Sequence, residues 1–214
     1  MSAPSNSDWT MIELVYPAAG YAPMIPAITM EDRMKIIRSD AAKTPREETF
    51  PIVEPTGLVV GMATRRYCHS GAKPLHPVVH LHILDRMGRL YLQKRADDKD
   101  IQPGRWDTAV GGHVSYGESI IDALFRESSE ELDFTEYNPV HLCTYVFESP
   151  IEKELVNVFV AIGSGFVLEP DGKEISEGRF WSEAELDAHI GDGTFTPNFE
   201  SEFASIRKSL YALL

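Results

Sequence analysis

From Pro77 onward the apolar positions fall into short β-favouring runs. Val78–Leu84 and Arg89–Arg95 flank Asp85-Arg86-Met87-Gly88, a turn with glycine where a positive φ is often required, and together they predict a hairpin. After the Pro103-Gly104 turn, Trp106–Val110 reads as a further strand, followed by the pair Gly111-Gly112 and a helix from about Ser119 to Leu132. His141–Phe147 and Leu155–Ile162 read as two more strands before a turn at Pro170-Asp171-Gly172. Gly178–Trp181 is a short strand feeding a helix that Ser182 caps, with Glu185 completing a capping box. Thr196-Pro197 opens a last helix, in which Phe199, Phe203, Ile206, Leu210 and Leu213 recur at the spacing of a core-facing stripe. Upstream, Phe50–Val53 and Leu58–Val60 are two short strands joined through Glu54-Pro55-Thr56-Gly57. The pattern is that of a mixed α+β chain.

Residues 1–45 contrast with this. They carry Pro17, Gly20, Pro23 and Pro26 among several Ser and Ala, broken by one short predicted helix, Met30–Ser39, capped by Thr29 with Asp32 bonding back. They read as an N-terminal extension, residues 46–74 as lead-in strands and a His/Arg-rich segment, and the denser remainder as the functional part. No internal repeat is evident.

Composition narrows the class. A chain of 214 residues with 43% hydrophobic and 25% charged residues is ordinary globular usage and predicts one sizeable core. No run approaches the roughly 18 consecutive apolar residues of a membrane span, and MSAPSNSDWT lacks the basic and apolar regions of a secretory leader. With only Cys68 and Cys143, disulfides are not expected to hold the fold. A cytoplasmic location is the resulting expectation. The balance of 20 Lys+Arg against 33 Asp+Glu, net −13, argues against a general nucleic-acid or anionic-membrane partner. It leaves open whether some carboxylates gather around a divalent cation.

The helix after Gly112 answers that question. Ile121, Leu124, Phe125, Ser128 and Leu132 share the side that faces a core, while Glu127, Glu130 and Glu131 stand on another at i, i+3 and i+4. Three carboxylates within roughly one turn repel one another, and a hard cation is the natural compensation. Acidic helix faces are ordinarily just solvated. Here, though, a glycine-marked strand-to-helix loop, Glu118 before the helix and Arg126 beside the acids accompany the cluster.

Gly112, Glu118, Arg126-Glu127 and Glu130-Glu131, within GHVSYGESIIDALFRESSEELDF, resemble the Nudix box of the Nudix hydrolases, here residues 112–134. Two positions depart from the pattern. Ser128 stands where the family has an aliphatic residue and Asp133 where it has the glycine that ends the helix, which puts local packing and the helix terminus in question. The resemblance implies a Nudix α/β/α sandwich around a mixed β-sheet over residues 75–205, with 206–214 ending the C-terminal helix. It also implies cleavage of a P–O bond in a small diphosphate-containing metabolite, with Mg²⁺ or Mn²⁺ as cofactor. By position, the Gly111 carbonyl and Glu127, Glu130 and Glu131 are the expected metal ligands. Glu127 is nominated as base with Glu130 next, and Glu118 as an assisting group. Glu174 and Glu177 are candidates for a further acid downstream of the box.

The stretch from Leu75 to His113 is further similar to isopentenyl diphosphate isomerase and its hydrolase-like relatives. That similarity implies a second metal site at His69, His76, His113, Glu152 and Glu154, and substrate-phosphate contacts at Arg95 and Lys99. Glu131 falls where the isomerase holds another metal. His80 and His82 have no match there and are expected to pack or to face solvent. The isomerase needs a cysteine where this chain has Gly111, and glycine offers no acid or base, so hydrolysis is favoured over isomerisation. A non-catalytic Nudix module is a third reading, disfavoured by the intact glutamates. A homodimer is left open, because relatives commonly dimerise through N-terminal strands. The leaving group is not legible in the sequence.

Overall fold

The computed structural model describes residues 47–99 and 101–214. The expected extension over 1–45, with its Thr29-capped helix, lies outside them. In order, the elements are β1 (Thr49–Val53), β2 (Val59–Thr64), β3 (His76–Asp85), β4 (Leu90–Arg95), β5 (Trp106–Thr108), β6 (Val110–His113), α1 (Ile120–Leu132), β7 (Val140–Glu148), β8 (Lys153–Gly163), β9 (Ile175–Trp181), α2 (Glu183–His189) and α3 (Pro197–Tyr211). The expected mixed α+β architecture is observed. β1 and β2 form an antiparallel pair, and a seven-stranded sheet runs β5-β4-β3-β8-β7, with β6 pairing with β3 and β9 with β4.

Strand boundaries differ from the pattern in the sequence at three main places. β2, expected over Leu58–Val60, runs Val59–Thr64, carried by its ladder on β1 that reaches Thr64 opposite Thr49. The run Trp106–Val110 is divided, because the chain changes partner at the fully buried Ala109: β5 pairs with β4, and β6 with β3. β9 begins at Ile175 rather than Gly178, carried by a ladder on β4 that reaches Arg95 opposite Ile175. Between β2 and β3 lie a short helical turn, Arg65–Tyr67, capped by the Thr64 hydroxyl, and a wider turn, Cys68–Ala72. Neither has enough length for a sequence periodicity.

The chain forms two compact units. One holds the described residues up to Pro77 with His113–Asp122 and Thr144–Val156; the other holds Val78–Gly112, Ala123–Cys143 and Asn157–Leu214. In the first, Val53, Leu75, Val146 and Leu155 form an apolar cluster. In the second, the core gathers Leu84, Leu90, Leu92, Trp106 and Val160 with Trp181, Leu186, Phe195 and the α3 residues Phe199, Phe203 and Leu210. α3 starts as read, with the Thr196 hydroxyl accepting from the Phe199 N–H and Pro197 in the first turn. Leu213 is 39% exposed and does not belong to the stripe, because the helix ends at Tyr211.

In α1 the buried residues are Ala123, Leu124, Ser128, Glu131 and Leu132, with Ile121 and Phe125 half-buried. Both departures from the box pattern are accommodated. Ser128 Oγ lies 2.8 Å from the Tyr137 hydroxyl, so its buried hydroxyl is bonded. Asp133 takes the left-handed conformation, φ 47°, that the family gives to glycine. Its N–H donates to Ser129 O, and the Phe134 N–H to Ser128 O at 3.0 Å, closing the helix end.

Candidate functional site

In the second unit β6 brings Gly111 and Gly112 against α1. A Cβ on Gly112 would overlap the Glu127 side chain and force it to move, so the glycine serves close approach here, not a positive φ. Glu127 Oε1 accepts from the Arg126 guanidinium at 2.7 Å, and the same nitrogen reaches Glu130 Oε2 at 3.3 Å. Arg126 thus bridges two of the three acids. Their environments are graded: the Glu130 side chain is 57% exposed, Glu127 14%, and Glu131 is buried.

Glu131 carries the strongest signal. Burial pushes its carboxyl well above the usual carboxylate range, and the charges of Glu127, Glu174 and Asp171 add to that. The Gly111 N–H donates to it and opposes only part of the shift, and Oε2 is buried with no hydrogen-bond partner. An unsatisfied buried carboxylate oxygen costs on the order of 1–3 kcal/mol or more. A cation bound there would remove that cost, and the donor set, carboxylate oxygens with the Gly111 carbonyl, suits Mg²⁺ or Mn²⁺.

Of the two downstream acids, Glu174 is the one whose charge acts on Glu131. Glu177 lies opposite Lys94 on the β4–β9 ladder. Asp171 was not anticipated. Its carboxylate accepts from the N–H groups of Lys173, Glu174 and Ile175 and so sets the turn that places Glu174; the only sequence signal was Pro170-Asp171-Gly172. Lys99 pairs with Glu174 at 2.9 Å. Arg95 donates through Nε to Ile101 O, and its NH1 lies 3.7 Å from Asp107.

The first unit assembles the other predicted set. His69, His76 and His113 present ligand nitrogens that all lie within 4.8 Å of one another. His69 Nε2 and His113 Nε2 are 3.2 Å apart, His69 Nδ1 is 3.2 Å from Glu152, and His113 is 3.7 Å from Glu154. His76 donates from Nδ1 to Pro74 O, leaving Nε2 as a lone pair that is buried without a partner. Burial lowers the pKa values of His69 and His76, with Arg65 adding to both, and burial raises that of Glu152. Neutral rings with converging lone pairs are the form in which histidine binds a metal. Phe50 stacks on His113 (4.4 Å between centroids, 5° between planes) and on His76, and so walls the cluster. Glu118 Oε2 accepts from the Ser115 N–H at 3.0 Å and closes the loop ahead of α1.

His82 packs as expected, fully buried, and His80 is half-buried, yet both rings also carry a polar partner. Both bond Glu202 of α3, at 2.8 and 2.7 Å. Sequence reasoning passed over Glu202, although a charge three residues after Phe199 and adjacent to Phe203, on the apolar side of the helix, was the available sign. Cys68 and Cys143 are buried free thiols; burial raises both, Cys143 to about 11, with the Glu202 charge contributing.

The NUDIX domain profile matches residues 74–199. An uncharacterized Nudix hydrolase of Streptomyces coelicolor is 28% identical over 169 residues, 78% of this chain and 93% of its own. An isopentenyl-diphosphate Delta-isomerase of Serratia proteamaculans is 30% identical over 171 residues, again 78% of this chain and 93% of its own. The crystal structure of DR0079 from Deinococcus radiodurans superposes with a TM-score of 0.57 at 25% identity, covering 68% of this chain and 90% of that one.

Proposed function

The chain belongs to the NUDIX domain family, and on that premise we propose that it hydrolyses a P–O bond in a small diphosphate-containing metabolite at the acidic cluster of α1. The observation that carries this reading is Glu131, a buried carboxylate with one orphan oxygen, beside Glu127 and the backbone of Gly111. Glu127, Glu130, Glu131 and the Gly111 carbonyl would hold Mg²⁺ or Mn²⁺. The bound ion would neutralise phosphate oxygens and make water a stronger acid. Glu127, already oriented by Arg126, takes the proton from the attacking water, with Glu130 as the second choice. The water oxygen bonds to phosphorus, the bridging P–O bond breaks, and the leaving oxygen departs as a phosphate or alkoxide that is then protonated. Arg95 and Lys99 supply positive charge to the diphosphate, Glu174 is the further acid, and Glu118 assists by fixing the loop ahead of the helix.

The histidine cluster is proposed to hold a second divalent ion through His69, His76, His113, Glu152 and Glu154. Nitrogen ligands suit zinc or iron better than magnesium. The isomerase reading draws support from that set and from the isomerase among the relatives. Against it stands Gly111. A Cβ there would meet His80 Cδ2 no closer than 3.6 Å. Room for a Cβ exists, so the backbone position itself does not exclude a residue with a side chain.

Replacing Glu130 by Gln tests the proposal. Metal-dependent phosphate release across a panel of nucleoside, sugar, isoprenoid and thiamine diphosphates is expected to fall away while the protein stays folded. Wild-type kinetics in that variant would remove α1 from the chemistry. Proton exchange into isopentenyl diphosphate without phosphate release would instead favour the isomerase.

A further inference from the structure

The second unit contains a buried carboxylate that the proposed chemistry leaves unused. Glu202 is 2% exposed, and each of its oxygens accepts from one histidine, Oε2 from His80 Nδ1 and Oε1 from His82 Nε2. Burial alone would raise this carboxyl; the charges and hydrogen bonds of the two rings overturn that and hold it far below the usual carboxylate range. An ionised group at that depth needs a compensating charge nearby. His82 is fully buried, and its Nδ1 has no hydrogen-bond partner. The His80 side chain is 20% exposed, so that ring can meet solvent or a ligand.

The far side of the His80 ring lies at the box. Its Cδ2 and Nε2 are 3.6 and 3.8 Å from where a Cβ on Gly111 would stand. On β5, Asp107 accepts from the Thr108 N–H at 2.9 Å and lies 3.7 Å from Arg95. His82, Glu202 and His80 therefore form one hydrogen-bonded set that ties α3 to β3 and ends beside Gly111.

We propose that His80 is a substrate-contacting residue, hydrogen-bonding the diphosphate beside Gly111, and that Glu202 is the positioning residue that fixes its ring. The inference rests on the diphosphate-hydrolase reading and extends it. It gives the glycine at 111 a role: a side chain there would place its Cβ in van der Waals contact with the ring, 3.6 Å from Cδ2, and would compete with a ligand for it. A hydrogen bond to a charged oxygen is worth roughly ten- to hundredfold in affinity.

The probe is methylenediphosphonate with Mg²⁺, a diphosphate that resists cleavage. In the full-length wild-type protein, nitrogen-15 resonances of the His80 ring are expected to shift on saturation with the probe. His80→Ala and His80→Gln are each expected to weaken its binding, measured by calorimetry, by roughly ten- to hundredfold. Glu202→Gln keeps the side-chain shape but loosens the ring, and the shift of the His80 resonances on probe binding should shrink. Unmoved His80 resonances in the wild type, or wild-type affinity in folded His80→Ala, would overturn the inference. Loss of turnover in Glu130→Gln alongside such a result would leave the hydrolase reading intact; retained turnover in Glu130→Gln would remove that reading first.

Discussion

Two clusters of ionisable side chains stand out, and they are built on opposite principles. The acidic cluster of the second unit is all oxygen and crowded: the charges of Glu127, Glu174 and Asp171 act on the buried Glu131, while Arg126 pairs with Glu127 and Glu130 and Lys99 with Glu174. The histidine cluster of the first unit is nitrogen-rich and stacked against Phe50, and burial lowers the pKa values of His69 and His76. One cluster consists of crowded carboxylates that a cation would relieve; the other offers imidazole nitrogens backed by the carboxylates of Glu152 and Glu154. The first therefore suits a hard, exchangeable ion that participates in hydrolysis, and the second a more tightly bound transition metal.

The sharpest way to break this contrast is at the base. Glu127→Gln is expected to lower kcat by about 10²–10⁴-fold with Mg²⁺ or Mn²⁺, read by phosphate release; a change under threefold would place the base elsewhere. Gly112→Ala attacks the same cluster through sterics, since its Cβ would displace the Glu127 side chain. At least a tenfold loss of turnover is expected, with little change in melting temperature compared with a core truncation. In the other cluster, His76→Ala removes a lone pair that has no other partner. Metal analysis after dialysis should show one fewer transition-metal equivalent per chain, and unchanged stoichiometry would dispose of the second site.

A pH series separates the clusters more gently. Because the Glu131 carboxyl is raised, the metal-free folded protein keeps a proton there at pH values where an ordinary carboxyl has lost it. Metal uptake displaces that proton, so Mn²⁺ affinity at the box should rise with pH and calorimetry in paired buffers should show proton release. For folding the sign is opposite. The native state binds more protons than the unfolded one, so stability without metal falls as pH rises through the raised pKa. The smallest expected effect is at the helix end, where Asp133→Gly relieves a left-handed non-glycine residue. A gain of about 0.5–1 kcal/mol is expected, read as a higher melting temperature.

How much of this was legible in the sequence varies with the range of the interactions involved. The box helix, the β3–β4 hairpin and both capped C-terminal helices were readable because local periodicity and capping residues define them. The split at Ala109 was not, since a change of pairing partner leaves no mark in a run of β-favouring residues. Glu127, Glu130 and Glu131 were visible as a helical cluster, yet their unequal burial came only from tertiary packing. The histidine set spans residues 69 to 154 and was reached through family resemblance, not spacing. Glu202 joins α3 to β3 across 120 residues, a separation at which no local pattern operates.

The most direct measurement is turnover in ¹⁸O-labelled water with Mg²⁺ or Mn²⁺ over the diphosphate panel, read by mass spectrometry of the phosphate product. The account predicts one ¹⁸O incorporated per bond cleaved in the wild type and no measurable product from Glu130→Gln. Folded, metal-loaded wild-type protein that releases no labelled phosphate from any of these diphosphates would contradict it.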